Sequence, residues 1–140
     1  MGQVRDIMNK HVITISKEKT CLDAAKLLQE KDISFLVVTE GQNPVGVISE
    51  ADFVRKITVE NKLASEVPIS DIMSHKFRWV EPTTLIEDAV QKMLNNNIRR
   101  LLVLENEKLV GVITQTDLAS YLRSKLLIDG TIKSIGKDDD

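Results

Sequence analysis

The sequence of 140 residues has few of the residue types that several common kinds of site require. Its one cysteine, Cys21, cannot form an internal disulfide or a cysteine-based zinc site. Aromatic residues make up 4%, which leaves few surfaces on which the bases of single-stranded nucleic acid could stack. No apolar run is long enough for a transmembrane helix, and the N-terminus shows no secretory signal pattern. These absences favour a small cytoplasmic domain.

The charged residues and the missing catalytic motifs exclude further classes of function. Nineteen Lys and Arg residues against 21 Asp and Glu residues give a net charge of −2, which argues against a general binder of nucleic-acid phosphates. We see no paired nucleophile and base, no Walker-type phosphate loop and no cluster of metal ligands. The two histidines, His11 and His75, have no neighbouring His or Cys, so we expect them to face solvent or a ligand. The sequence therefore predicts neither an enzyme nor a metal protein.

An internal repeat is the most informative feature. Residues 4–57 align without a gap on residues 69–122, with 14 identities in 54 positions. The repeat predicts two domains, residues 1–64 and 65–128, followed by a flexible acidic tail at residues 129–140. A half of this size would bury only a marginal core alone, so we expect two halves related by a pseudo-twofold axis and sharing one core.

Each half is predicted to have the order β-α-β-β-α. Apolar residues with helical spacing open the first helix of each copy, after predicted N-cap pairs Thr20 with Asp23 and Thr84 with Glu87. Two short apolar runs joined by a turn then predict a hairpin of buried strands. A second helix follows, predicted over residues 50–62 in one copy and 115–127 in the other. Short strands at 12–15 and 77–80 complete the halves.

A glycine, two apolar residues, a hydroxyl residue and an aspartate recur where each hairpin meets its second helix. The first copy runs from Gly46 to Asp52 and the second from Gly111 to Asp117. Such a glycine permits close approach of another backbone or a ligand, and the helix N-terminus offers free N–H groups. The hydroxyls and carboxylates could bind a diol such as ribose. The same spacing is also typical of a capping box that only stabilises the first helical turn.

The sequence resembles the cystathionine-β-synthase (CBS) domain family, specifically a tandem pair, or Bateman module. The resemblance covers about residues 1–127 and rests on both Asp-Ile-Met openings, at Asp6 and Asp71, on the repeated strand order and on the two glycine-to-aspartate motifs. It implies an α/β (α+β) fold of two β-α-β-β-α motifs that pack through their sheets into one module. It also implies a homodimer that stacks through its helices.

The resemblance further implies a regulatory module that binds AMP, ADP or ATP, or less often S-adenosylmethionine or NAD, with no obligatory cofactor. The ligand would lie in clefts between the two motifs, and a conformational change would signal to an unknown effector protein. One set of residues carried over from the family motif surrounds Asp117: Thr114, Thr116, Arg99, Arg100, Lys10, His11, Val12, Ile33 and Ser34. The other set surrounds Asp52: Ser49, His75, Lys76 and Phe77.

The two predicted sites differ in charge. Arg99 and Arg100 precede the hairpin of the second copy, whereas Ser34 and Phe35 occupy the equivalent positions of the first. We therefore expect the Asp117 site to bind phosphorylated ligands more tightly. Two other functions stay open: a constitutive dimerisation or scaffold protein, and a regulator linked to nucleic acid.

Overall fold

The computed structural model describes residues 2–128, and both repeats have the predicted element order. The first repeat contains β1 (Thr14–Ser16), α1 (Cys21–Lys31), β2 (Phe35–Glu40), β3 (Asn43–Ser49) and α2 (Glu50–Phe53). The second contains β4 (Trp79–Val80), α3 (Ile86–Asn96), β5 (Arg100–Glu105), β6 (Lys108–Thr114) and α4 (Gln115–Ile128). The predicted tail at 129–140 lies outside the described residues.

Two three-stranded sheets, with orders β1-β2-β3 and β4-β5-β6, confirm the mixed α/β fold class. In the first sheet β1 runs parallel to β2, and β2 pairs antiparallel with β3. In the second, β4 runs parallel to β5. Leu36, Val37 and Val38 are fully buried, which confirms a strand covered on both faces. At the hairpin turn after β2, Gly41 adopts a left-handed φ of 65°.

The helix starts are predicted correctly in one copy and wrongly in the other. Thr20 caps α1, because its hydroxyl accepts from the Asp23 N–H at 3.2 Å and the Asp23 carboxylate accepts from the Thr20 N–H at 3.1 Å. The prediction that Thr84 and Glu87 cap α3 is wrong, since this helix begins after Leu85. The hydroxyl of Thr84 instead accepts from the N–H of Glu81, in the turn before the helix.

The helix predicted over residues 50–62 is shorter and changes type. The α-helical part ends at Phe53, and a π-helical stretch continues over Val54–Thr58. There the N–H of Val59 donates to the carbonyl of Val54, five residues earlier, instead of four. The β-branched residues in this stretch lower its intrinsic α-helix propensity. The equivalent helix α4 runs unbroken to Ile128, close to its predicted end.

The chain forms two compact units whose boundaries differ from those of the repeats. One unit combines residues 11–78 with 105–110, and the other combines the described residues among 1–10, 79–104 and 111–140. Each unit therefore contains the body of one repeat and the opening segment of the other. Backbone hydrogen bonds hold these segments in place, as between the Val4 N–H and the Thr84 carbonyl at 2.8 Å.

Each unit has its own buried apolar residues. In the unit of residues 11–78, one cluster joins α1, β2 and the opening segment of the second repeat, through Leu28, Leu36 and Ile69. Cys21 is fully buried in this cluster, which confirms that it is a small core residue. In the other unit Val4, Ile86, Leu101 and Ile113 are at most 4% exposed. Within residues 2–128, the helices all fall short of the length and apolar character that crossing a membrane requires.

Candidate functional site

Asp117 lies in the first turn of α4, where Thr114 holds its carboxylate by two hydrogen bonds. The N–H and hydroxyl of Thr114 both donate to Oδ2, at 2.8 and 2.9 Å. In return, the Asp117 N–H donates to the Thr114 hydroxyl at 3.2 Å. The capping interpretation of the motif is therefore confirmed. Oδ1 accepts no hydrogen bond from residues 2–128, so one carboxylate oxygen keeps its lone pairs.

The backbone of Arg99, the first of the two predicted arginines, lies next to this turn. The Gln115 N–H, at the start of α4, donates to the Arg99 carbonyl at 2.9 Å, which joins the start of β5 to the helix N-terminus. The Arg99 side chain is exposed, and that of Arg100 is half-buried. Thr116 is exposed one residue before Asp117. The structure thus brings the Arg99 backbone and the Thr114–Asp117 pair together at one helix N-terminus, which itself favours anions. That the Arg99, Arg100 and Thr116 side chains take part in the site stays a prediction.

Of the segment predicted to complete this site, Lys10 belongs to the same compact unit as Asp117. Asn9, just before it, exchanges backbone hydrogen bonds of 2.8 and 3.0 Å with Val112. The other predicted residues belong to the second unit, and their part in the Asp117 site stays a prediction: His11, Val12, Ile33 and Ser34.

The motif glycine, Gly111, is required by close packing against the opening segment. A Cβ at this position would lie 2.6 Å from the sulfur of Met8 and 3.1 Å from the Asn9 carbonyl oxygen. Gly46 of the first repeat has the same relation to Met73, whose sulfur would be 2.8 Å from such a Cβ. The glycines therefore admit methionine and backbone in both units, which is a structural reason for their place in the motif.

Asp52 likewise lies in the first turn of its helix, α2, but both of its carboxylate oxygens have partners. The N–H and hydroxyl of Ser49 donate to Oδ2, at 2.8 and 3.3 Å. Lys56 forms an ion pair with Oδ1 at 3.3 Å and also donates to the Ile72 carbonyl at 2.8 Å. The residue equivalent to Arg99 is Ser34, whose carbonyl accepts from the Glu50 N–H at 3.0 Å.

The segment predicted to complete the Asp52 site belongs to the same unit. Ser74 exchanges backbone hydrogen bonds of 2.8 and 3.0 Å with Val47, two residues before Ser49. His75 and Lys76 follow with exposed side chains, and Phe77 is half-buried. The backbone pairing of Ser74 with Val47 therefore corresponds to the pairing of Asn9 with Val112 in the other unit.

Lys56 is the residue near these motifs that sequence reasoning missed. Its spacing of four from Asp52 is typical of an ion pair along a helix, and this signal is visible in the sequence. The equivalent residue of the second repeat is Tyr121. A phenol cannot form the ion pair, so the two repeats differ at the position that neutralises the aspartate.

Chemistry beyond binding finds little support in residues 2–128. That part of the chain holds no group of three or more His, Cys, Asp or Glu residues that could bind a metal. Burial raises the pKa of the Cys21 thiol, and the negative charge of Asp71 raises it further, which opposes a nucleophilic thiolate.

Two known proteins are similar to this chain in sequence. An uncharacterized protein of Methanopyrus kandleri is 36% identical over 117 residues, which are 82% of this chain and 60% of that protein. The CBS domain-containing protein YhcV of Bacillus subtilis is 30% identical over 119 residues, 85% of this chain and 84% of that protein. The chain thus spans less than two thirds of the Methanopyrus protein and most of YhcV.

Solved structures share the fold. A protein with CBS domains from Burkholderia ambifaria has a TM-score of 0.79 and 29% identity, covering 88% of this chain and 95% of that one. A CBS domain pair in complex with 5′-methylthioadenosine and S-adenosyl-L-methionine has a TM-score of 0.78 and 26% identity, covering 89% and 98%. A hexameric CBS-CP12 protein from bloom-forming cyanobacteria has a TM-score of 0.74 and 29% identity, covering 84% and 66%.

The family assignment rests on both halves of the sequence. The model of the CBS domain matches residues 4–59 and again residues 69–124, in agreement with the repeat and with the observed strand order. CBS pairs are regulatory ligand-binding modules, and neither relative bears the name of an enzyme. The chain belongs to the CBS-domain family and carries two of its domains as a tandem pair.

Proposed function

We propose that the chain senses an adenosyl nucleotide, whose ribose hydroxyls donate to Asp117. The observation that carries this proposal is the half-used carboxylate: Thr114 anchors Oδ2, while Oδ1 accepts nothing from residues 2–128. A fixed carboxylate with free lone pairs suits a ribose diol, because charged acceptors form the stronger hydrogen bonds. The proposed clefts between the two motifs come with the family resemblance, and the proposed domains, residues 1–64 and 65–128, come with the repeat.

The phosphate would be held by local positive charge. The backbone of Arg99 adjoins the N-terminus of α4, Arg100 is the next residue, and Lys10 belongs to the same unit. One guanidinium group can donate two parallel hydrogen bonds to a phosphate, and a helix N-terminus adds free N–H donors. Since the net charge is −2, long-range attraction contributes little and the affinity has to come from these contacts.

We expect AMP, ADP or ATP as the ligand, ahead of S-adenosylmethionine or NAD. The related CBS pair that holds 5′-methylthioadenosine and S-adenosyl-L-methionine supports the adenosyl part of this proposal. The basic residues beside Asp117 favour a phosphorylated adenosyl compound. Such a ligand would be regulatory, and the proposal includes no obligatory cofactor and no catalytic step.

The test is calorimetric titration of AMP and ATP into the wild type and an Asp117→Asn variant. The amide oxygen can still accept from Thr114, so the cap is largely kept while the charge is removed. We expect affinity to fall about ten- to a hundredfold, because hydrogen bonds to charged groups contribute about 1.5–3 kcal/mol.

The matched control is Asp23→Asn. Asp23 occupies the same capping position in α1 and has the same kind of contact to Thr20, away from the predicted site residues. This variant should bind like the wild type. Equal affinity in wild type and Asp117→Asn would contradict the site assignment, and no binding by the wild type would contradict the function.

Signalling would require a second protein or a second copy of the chain. We propose a cytoplasmic homodimer that reports the ligand to an effector by a shift between two arrangements. Helices α3 and α4 support self-association, because they border an apolar groove of about 890 Å³ that includes Leu94 and Leu122. These two side chains are 70% and 55% exposed.

A constitutive scaffold or a regulator linked to nucleic acid would behave differently. A nucleotide ligand raises the melting temperature by mass action, whereas a scaffold with empty clefts would melt at the same temperature throughout a nucleotide panel. Binding to nucleic acid would weaken steeply as salt rises. The acidic net charge argues against the regulator linked to nucleic acid.

A further inference from the structure

We infer that Lys56 occludes the second ribose site, so that one chain binds a single nucleotide, at Asp117. This inference rests on the proposed function and adds a residue that decides how many sites are open. The two repeats have the same hydroxyl-to-aspartate cap, but they differ at the residue one helical turn later: Lys56 in one and Tyr121 in the other.

Lys56 occupies the carboxylate oxygen that a ribose would need. Its Nζ lies 3.3 Å from Oδ1 of Asp52, while Ser49 already donates twice to Oδ2. The Asp52 side chain is 18% exposed and that of Lys56 is 44% exposed, so the lysine is the more accessible member of the pair. A vicinal diol could donate to Oδ1 of Asp52 only by displacing the lysine or by sharing this oxygen with it.

A second anchor holds the lysine in this position. Nζ also donates to the carbonyl of Ile72 at 2.8 Å, in the opening segment of the second repeat. A half-exposed ion pair alone contributes little, because water and salt screen it and a long side chain must be immobilised. The bond to a backbone carbonyl removes much of that freedom, so the ammonium group stays at Asp52 instead of swinging into solvent.

The two repeats also differ in local helix type at this position. Lys56 lies within the π-helical stretch Val54–Thr58, whose wider turn changes the direction of its side chains relative to an α-helix. In the second repeat α4 is continuous through Tyr121. The Tyr121 hydroxyl is 3.2 Å from where a Cβ on Gly2 would be, so the ring packs against the N-terminal segment and leaves Asp117 without a cation at this position.

The experiment measures stoichiometry by equilibrium dialysis with radiolabelled AMP. The proteins are the wild type, Lys56→Met, which keeps most of the stem without its charge, and Lys56→Tyr, which copies the second repeat. Lys62→Met, at an exposed lysine beyond the π-helical stretch, is the matched control. AMP without its 2′ and 3′ hydroxyls tests whether any new site needs the ribose diol, and circular dichroism checks that each variant is folded.

We expect one equivalent of AMP per chain for the wild type and Lys62→Met, and a second for both Lys56 variants. The second site should bind at least tenfold more tightly than in the wild type, reject dideoxy-AMP and disappear when Asp52→Asn is added. One equivalent in all proteins, or two in the wild type, would overturn this inference and leave the proposed function standing. No binding by any variant would overturn both.

Discussion

Met8 packs directly over Gly111, with its sulfur 2.6 Å from the position that a Cβ on this glycine would occupy. Met8 comes from the Asp-Ile-Met opening of the first repeat, and Gly111 comes from the glycine-to-aspartate motif of the second. Two motifs that are 103 residues apart in the chain thus meet in one compact unit. Met73 and Gly46 repeat this arrangement in the other unit. The Asp-Ile-Met segment of each repeat therefore packs in the compact unit that contains the motif aspartate of the other repeat.

Gly111→Ala should destabilise the protein by about 1–3 kcal/mol, the usual cost of forcing extra volume into a packed site. The methionine side chain can move away, but the Asn9 carbonyl oxygen, 3.1 Å from the new Cβ, belongs to the backbone. Urea denaturation would measure the change. Adding Met8→Ala should recover part of the loss, since it removes the nearest atom. Full additivity of the two substitutions would contradict the contact.

Leu36→Ala should cost about 2–5 kcal/mol of unfolding free energy, because the side chain is fully buried in the cluster around α1 and the smaller residue leaves a cavity. The control is Leu63→Ala at a leucine that is 62% exposed, where we expect a change within about 0.5 kcal/mol. Similar losses at the two leucines, measured by chemical denaturation, would be inconsistent with this core.

Thr20→Ala should weaken the cap of α1 by about 1 kcal/mol and raise the pKa of Asp23. The N–H of Thr20, and then its hydroxyl, hold the pKa of this carboxyl below its usual value, and the substitution removes only the hydroxyl. In the wild type the contribution of Asp23 to stability is present at neutral pH and is lost as the pH falls through its lowered folded-state pKa. The variant should lose less stability on acidification.

Carbon-detected NMR of the Asp23 carboxyl group would follow this titration in both proteins. We expect the variant's pKa to lie between that of the wild type and that of an unstructured aspartate, because the backbone N–H bond remains. An unchanged pKa would mean that the hydroxyl contact is absent in solution.

Leu122→Glu should shift the proposed homodimer to monomers, as measured by light scattering after size-exclusion chromatography. Leu122 borders the apolar groove between α3 and α4, where a carboxylate would have to lose its hydration on association. Trp79→Glu is the control, since this side chain is also exposed, at 45%, but lies on β4 and outside the groove. A dimer that persists in Leu122→Glu would contradict association through this face.

Much of the fold could be predicted from the sequence because its signals are local and occur twice. The apolar runs of β2 and β5, the helical spacing of α1 and α3 and the Thr20 cap all depend on neighbours within a few residues. The errors also have local causes. Thr84 lies one residue too early to cap α3, and the β-branched stretch after Phe53 forms a π-helix where an α-helix was predicted.

By itself the sequence determined the duplication, the order of elements and the two hydroxyl-to-aspartate motifs, since each is a pattern along the chain. Tertiary structure decided which repeat's opening segment packs in which unit, and which aspartate has a carboxylate oxygen that accepts nothing from residues 2–128. These outcomes depend on contacts between distant segments, such as Lys56 with Ile72 and Met8 with Gly111. A repeat alignment places equivalent residues side by side, but the charge pairing of each aspartate depends on a position where the copies differ, Lys56 in one and Tyr121 in the other.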